Sequence, residues 1–285
     1  PGFIYLEDPN LAELMIHPSD KNTGIQYRLL PMTRSMISEL FTLEEANHHF
    51  EIIKKHLQHP DGVRLMNKPA TYAGGVSKNF KRAEQASNFG REIGLQYVHA
   101  HIRFIEAMAK LGKENEVWQA LSVINPINIK EVVSNAEYRQ SNTYFSSSDG
   151  KFKNRYEAQE QFASLKNGKV SVKGGWRIYS SGPGIYLNQL ISNSLGIRRF
   201  DKNLVIDPVL PKELDGLNFE FAIDKYKVTF NYHLKDHVEK KVLVNNNLVG
   251  SERMGNRYRE GGLIIQFNEL AQHLHDGMNR IDIYI

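Results

Sequence analysis

The apolar residues of this chain change their spacing near residue 200, and that change separates two kinds of structure. Before it they recur every three to four positions: Leu43, Ala46, Phe50, Ile53 and Leu57, then Ile93, Tyr97, Ala100, Phe104, Ala107, Met108 and Leu111. That spacing is one face of an α-helix. After it they alternate, as in Phe219, Phe221 and Ile223, then Tyr226, Val228, Phe230 and Tyr232. Val242 and Val244, the run "GLIIQF" and Ile281, Ile283 and Ile285 continue the pattern. Alternation of this kind buries one face of a strand. A mainly helical part followed by a small antiparallel β-sandwich satisfies both halves of the chain.

Local signals mark the helix ends. Thr42-Leu43-Glu44-Glu45 is a capping box, predicting a helix to Leu57 that His59-Pro60-Asp61-Gly62 breaks. A shorter helix is predicted over Thr33–Leu40. The longest runs from Phe89 to Leu111, with Gly112 to stop it, and Glu114–Ile124 follows as its antiparallel partner before Asn125-Pro126. From Asn125 to Ser180 the periodicity disappears. "NAEYRQSNTYFSSSDGKFKN" and "LKNGKVSVKGG" are too long for plain connectors, and a long loop in a compact domain is usually functional or disordered. Tyr138, Tyr144, Phe145, Phe152 and Tyr156 argue for order. The boundary falls in "RRFDKNLVIDPVLPKELDG", dividing the chain into residues 1–200 and 201–285.

Composition narrows the function. The 36 basic and 32 acidic residues, net +4, are scattered, which speaks against nucleic acid. With no cysteine there is no disulfide, thiolate metal site or cysteine nucleophile, and the composition is that expected of a reducing cytoplasm. No apolar run approaches the roughly 18 residues of a membrane span. The chain starts at Pro1 rather than methionine, as a fragment or processed chain would.

Three stretches can carry chemistry. In "GGWRIYSSGPGIYLNQLISNSLGI" a helix is predicted from Ile185 to Leu195, ended by Gly196 and capped by Ser181 in Ser181-Gly182-Pro183-Gly184. Its free N–H groups and positive dipole end suit phosphate, while the same small residues also suit a tight turn. Glu137, Tyr138, Arg139 and Gln140 combine an acid, an aromatic ring, a guanidinium and an amide, a set fit for sugar or for an exposed polar loop. Arg91 and Glu92, in the first turn of a helix capped by Asn88, could meet sugar hydroxyls or solvent. His99 and His101 lie about 200° apart on a helix and cannot share a metal ion. No metal site is expected, with one of these histidines packed inside.

"YSSGPGIYLNQLISNSLGIRRF" and "LVIDPVLPKELDG" resemble elements of the glycoside phosphorylases related to cellobiose phosphorylase, glycoside hydrolase family 94. "YRLLPMTRSMISELFT" and "RAEQASNFGREIGLQYVHAHIRFIEAMAKLG" are most similar to the branch of 1,2-β-oligoglucan phosphorylases and cyclic β-1,2-glucan synthases. The resemblance implies the C-terminal part of an (α/α)6 barrel followed by the β cap. It implies inverting phosphorolysis of a β-linked glucan to α-glucose 1-phosphate, with inorganic phosphate as co-substrate and no metal or organic cofactor. Ser181 and Gly182 match the family's phosphate-binding hydroxyl and glycine. The family's phosphate-binding histidine has no counterpart, leaving Lys173 or Arg177 to supply positive charge. Glu137 and Gln140 match an acid-and-amide segment of the sugar site. Asp8, Asp20 and Asp61 lack the tryptophan-rich surroundings of the family's general acid, so none takes that role. The acid is expected upstream, in a missing N-terminal part of the same enzyme, and helix faces left without that part favour association between copies. A carbohydrate-binding or structural module without turnover and a hydrolase on the same barrel are the alternatives.

Overall fold

The computed structural model describes residues 3–5, 13–21, 23–69, 96–138, 145–174, 181–235 and 239–285. The chain divides into two compact units, one of Pro1–Ala107 with Gln119–Tyr186 and the other of Met108–Trp118 with Leu187–Ile285. In the first, β1 (Phe3–Tyr5) pairs antiparallel with β2 (Glu13–Met15). Helix α1 (Leu29–Ile37) begins four residues before its predicted start, because Leu29, Met32, Thr33 and Met36 form its buried face. Thr42 then opens α2 (Leu43–His56) as predicted. Its hydroxyl accepts from Glu45 N, and Glu45 Oε2 accepts from Thr42 N. The breaker after α2 is a hairpin of β3 (Gln58–His59) and β4 (Gly62–Val63), turned by Pro60 and Asp61.

Of the helix predicted over Phe89–Leu111, residues 89–95 lie outside the described residues, and the next two are not helical. Gln96 and Tyr97 are a strand, β5 (Gln96–Tyr97), and α3 (Val98–Leu111) starts after them. Backbone pairing with Ser147 and Ser148 overrides helical spacing at these two positions. Gly112 ends α3 at φ +72, with Gly112 N donating to Ala109 O and Lys113 N to Met108 O. These two bonds define a Schellman cap, which needs a left-handed residue at this position. Helix α4 (Glu114–Ser122) follows.

The segment without periodicity is built from short pieces. They are α5 (Ile129–Val132), β6 (Ser147–Gly150), α6 (Arg155–Gln161), α7 (Ala163–Lys166) and β7 (Val172–Gly174). Strands β5, β6 and β7 form one antiparallel sheet in that order. Helix α8 (Ser181–Gln189) starts at Ser181, earlier than Ile185, and runs into a π-helical turn over Leu190–Ser194 instead of continuing as α-helix to Leu195.

The second unit is a β-sandwich. One sheet has the order β14 (Glu252–Arg253), β15 (Leu263–Gln266), β9 (Asn203–Ile206) and β8 (Ile197–Phe200). The other has the order β10 (Asn218–Ile223), β11 (Tyr226–His233), β16 (Met278–Tyr284), β12 (Lys241–Val244) and β13 (Asn247–Leu248). Helix α9 (Phe267–Ala271) follows β15. Leu204, Ile206 and Ile265 from one sheet share a core with Val228, Phe230, Tyr232, Val242, Ile281 and Ile283 from the other. One pairing departs from the all-antiparallel expectation, since β11 and β16 run parallel. Because β16 lies between β11 and β12, which point in opposite directions, it must parallel one of them. Phe219 and Phe221 sit on the edge strand β10 and stack on each other, Phe221 remaining exposed. Gly196, at φ +72, lies against the backbone of Asp207 and Pro208, where a Cβ would come within 2.1 Å of Pro208 N.

Asp207 organises a polar corner of the same unit. It accepts from Arg198 and, through both carboxylate oxygens, from Arg259. Arg259 Nε also donates to Ala109 O, and Asn256 Nδ2 donates to Lys110 O. Side chains beyond residue 250 thus reach carbonyls in the last turn of α3, Asn256 bonding Lys110 O and Arg259 adding a second donor to Ala109 O, which Gly112 N already bonds.

Candidate functional site

Val172 is the hinge of the candidate site. Its N–H donates to Asn135 O, its carbonyl accepts from Glu137 N, and Asn135 Nδ2 donates to Val170 O. These bonds hold the Glu137 segment along the edge of β7, next to Lys173. On the other side Asp149 of β6 lies opposite Lys173 in the ladder, so the two side chains share a face of the sheet. Lys151 follows β6, and its ammonium meets Glu137 Oε1 at 2.5 Å.

The charges in this group act on each other. The hydrogen bond from Lys151, with the charges of Lys151 and Lys173, holds the exposed Glu137 carboxyl below its ordinary range. Burial pushes Asp149 up, against the Ser147 hydroxyl and the charges of Arg64 and Lys173. Asp149 Oδ1 has no hydrogen-bond partner among the described residues. Deeper in the unit, Arg64 donates to both oxygens of Asp61 and to Ser148 O, with both members of the ion pair buried. The sheet is therefore a polar platform with a fixed cation, Arg64, beneath it.

Tyr138 follows Glu137 and is 87% exposed, its ring 4.5 Å from Lys130 Nζ. It offers a flat apolar face of the kind that sugars stack on. Ser181 and Gly182 occupy the first turn of α8, and Gly182 is buried. Arg91, Glu92, Arg139, Gln140 and Arg177 lie outside the described residues. The structure thus brings Glu137 and Lys173 together and places Tyr138 beside them. Sequence reasoning missed Lys151 and Asp149, because "SSSDGK" carries neither helical nor strand periodicity.

The histidines and aspartates find structural roles. His101 is buried, accepts from Val63 N through Nδ1 and donates from Nε2 to Ala120 O, so the ring is the neutral Nε2–H tautomer. Burial lowers its pKa to about 4. Asp20 accepts from Ile16 N, Thr23 N and the Thr23 hydroxyl. Asp61 is committed to Arg64, and Asp8 lies outside the described residues. Neither Asp20 nor Asp61 is disposed as a general acid. Among the described residues no helix is long and apolar enough to cross a membrane.

The family described as "Glycoside phosphorylase C-terminal domain" matches residues 196–284, which cover the β-sandwich. A 1,2-beta-oligoglucan phosphorylase of Listeria innocua serovar 6a is 59% identical over 271 residues, 95% of this chain. The cyclic beta-(1,2)-glucan synthase NdvB of Rhizobium meliloti is 26% identical over 167 residues, 58% of this chain. The chain spans 25% of the length of the first relative and 5% of the second. Residues 196–284 are thus similar to the C-terminal domain of glycoside phosphorylases, and over 95% of its length the chain is similar to one such enzyme.

Proposed function

We propose that this chain serves an inverting glycoside phosphorylase that cleaves β-linked gluco-oligosaccharides, β-1,2-linked ones first, with inorganic phosphate to give α-glucose 1-phosphate. The observation that carries the reading is the 59% identity to a 1,2-beta-oligoglucan phosphorylase over nearly the whole chain. In this reading a phosphate oxygen attacks the anomeric carbon from the face opposite the scissile bond. The C–O bond to the departing sugar breaks, its electron pair stays on that oxygen, and a carboxylic acid protonates it. One displacement inverts β to α.

The chain's own residues supply the binding side. Backbone N–H groups at the start of α8, with Ser181 and Gly182, hold the phosphate, an anion suited to a helix N-terminus. Lys173 offsets its charge, with Arg177 as the alternative cation. Glu137 accepts from sugar hydroxyls, and Tyr138, Arg139 and Gln140 complete that wall with Arg91 and Glu92. No residue of the chain is assigned the general acid, which we place in further sequence of the same enzyme. Residues 1–200 would then contribute helices to an (α/α)6 barrel and residues 201–285 its β cap. The reaction needs no metal or organic cofactor, and the cysteine-free composition fits a cytoplasmic enzyme, free or as a homo-oligomer.

The test is product analysis by NMR on the intact protein, with β-1,2-gluco-oligosaccharide in the presence and absence of phosphate. Release of α-glucose 1-phosphate that requires phosphate supports the reading. Glucose released without phosphate would make the protein a hydrolase. Binding without release would make it a carbohydrate-binding module.

A further inference from the structure

Helix α2 ends beside a cavity of about 470 Å³, a size within the range of roughly 300–1,000 Å³ common for small-molecule sites. Three lysines line it: Lys55 from the last turn of α2, Lys68 from the segment after β4 and Lys166 from α7. One carboxylate, Glu160, lies among them. Cations at a helix C-terminus complement its dipole, which accounts for Lys55 and for Lys166, whose ammonium donates to the Lys55 carbonyl. It does not account for Lys68, which comes from another part of the chain.

His59 is the second, independent observation. It lines the same cavity and is only 7% exposed. Its Nδ1 lies 3.0 Å from Leu57 O, and a carbonyl can only accept, so Nδ1 carries the proton. Burial, with the charge of Arg64, lowers the pKa to about 4 and keeps the ring neutral at ordinary pH. Nε2 is therefore a bare acceptor, and it makes no hydrogen bond among the described residues. Asn67 is oriented too, since its Oδ1 accepts from Gln26 N and Tyr27 N, leaving its amide N–H groups as donors. Phe162, packed edge-on to His59, adds an apolar wall.

These groups ask for different things from one ligand. An inorganic anion would answer the lysines and leave His59 Nε2 without a donor. A neutral sugar would answer His59 and leave the ammonium groups uncompensated. We propose that this cavity binds a phosphorylated polyol the size of a hexose monophosphate, its phosphate among Lys55, Lys68 and Lys166 and a hydroxyl donating to His59 Nε2. The site shares no lining residue with the Glu137–Lys151–Lys173 group and stands whether or not the phosphorolysis reading holds.

Lysine acetylation footprinting of the intact protein, read by mass spectrometry, tests it directly. Glucose 6-phosphate is the probe, with inorganic phosphate and glucose alone as controls. Glucose 6-phosphate should protect Lys55, Lys68 and Lys166 together, at concentrations about tenfold below those at which phosphate does, the effect of one added hydrogen bond of ordinary strength. Lys68→Gln should weaken that protection at Lys55 and Lys166 by about tenfold or more, as expected for one charge-assisted contact. Lys55→Gln repeats the test with an exposed side chain whose loss leaves α2 intact. Equal protection by phosphate and glucose 6-phosphate would overturn the polyol assignment. No protection by either would overturn the site.

Discussion

In the β-sandwich the fully buried positions are mostly apolar, with Asn279 and Asp282 of β16 among the exceptions: Phe230, Val242, Ile281 and Ile283 pack against side chains of the facing sheet. In the sheet β5–β6–β7 they include Gln96 and Ser148, and Arg64 bonds the Ser148 carbonyl from below. The first region is held by removing hydrocarbon from water, a force without direction. The second depends on hydrogen bonds and charge pairs that fix where each group points. Groups whose directions are fixed in this way tolerate change less well than a core held by burial alone.

The largest expected effects come from breaking each region by its own weakness. Phe230→Ala should cost about 3–5 kcal/mol through the cavity it leaves. Arg64→Met should cost a similar amount, about 3–5 kcal/mol, by stranding the buried Asp61 carboxylate. Denaturant unfolding measures the size, and hydrogen exchange shows the place. The first variant should loosen amides of β9, β11 and β16, the second those of β4 and β6. A double variant, Asp61→Leu with Arg64→Met, should recover much of the second loss, whereas no polar partner exists whose removal would rescue the first.

The same contrast explains what could be read in advance. Tyr226, Val228, Phe230 and Tyr232 announce β11, because burial of one face leaves a period of two in the sequence. Thr42 and Glu45 announce α2 through their reciprocal cap. Nothing comparable announces β6. Ser147 and Ser148 are buried and Asp149 shares a face with Lys173, so the strand is specified by partners distant in sequence. Spacing alone puts Gln96 and Tyr97 in a helix, whereas pairing with the distant Ser147 and Ser148 makes them a strand. Glu137 and Lys173 were each legible as chemistry-bearing residues, but their proximity rests on the Val172 hydrogen bonds, which side-chain patterns do not encode.

An intermediate effect is expected from pH. His101 in the first unit has its pKa lowered from 6.5 to about 4 by burial, and His59 shifts the same way. Between those values the unfolded chain binds a proton that the native state does not, so stability rises with pH. The contribution is complete above pH 6.5 and is lost as pH falls toward 4, on the order of 3 kcal/mol for His101. In the sandwich the sensitive groups are carboxylates held below their ordinary range, Asp215 and Asp282, of which Asp282 is the buried one. Burial raises its pKa, but hydrogen bonds from Arg280, His233 and Asn231 outweigh that and leave it lowered from 3.8. Its contribution is present above pH 3.8 and lost below. Hydrogen exchange at pH 7, 5 and 4 should therefore show the first unit opening before the sandwich. Simultaneous opening would remove the contrast.

Smaller still is the stability effect of Glu137→Gln. The Glu137–Lys151 pair is exposed and screened by water, and its loss should leave Tm nearly unchanged. If Glu137 faces sugar hydroxyls, glucan KM should rise roughly tenfold, the size of one charged hydrogen bond. Unchanged glucan kinetics would take Glu137 out of the site.

The most direct measurement compares phosphate and glucan kinetics of the intact enzyme after changes at the start of α8. Gly182→Val should raise phosphate KM strongly, Ser181→Ala roughly tenfold, the size of one lost charge-assisted hydrogen bond. Both variants should leave glucan KM near its original value, while Phe230→Leu lowers Tm and leaves both constants alone. Equal losses toward phosphate and glucan in Gly182→Val, with Ser181→Ala altering Tm alone, would contradict the account and reduce this helix start to a structural cap.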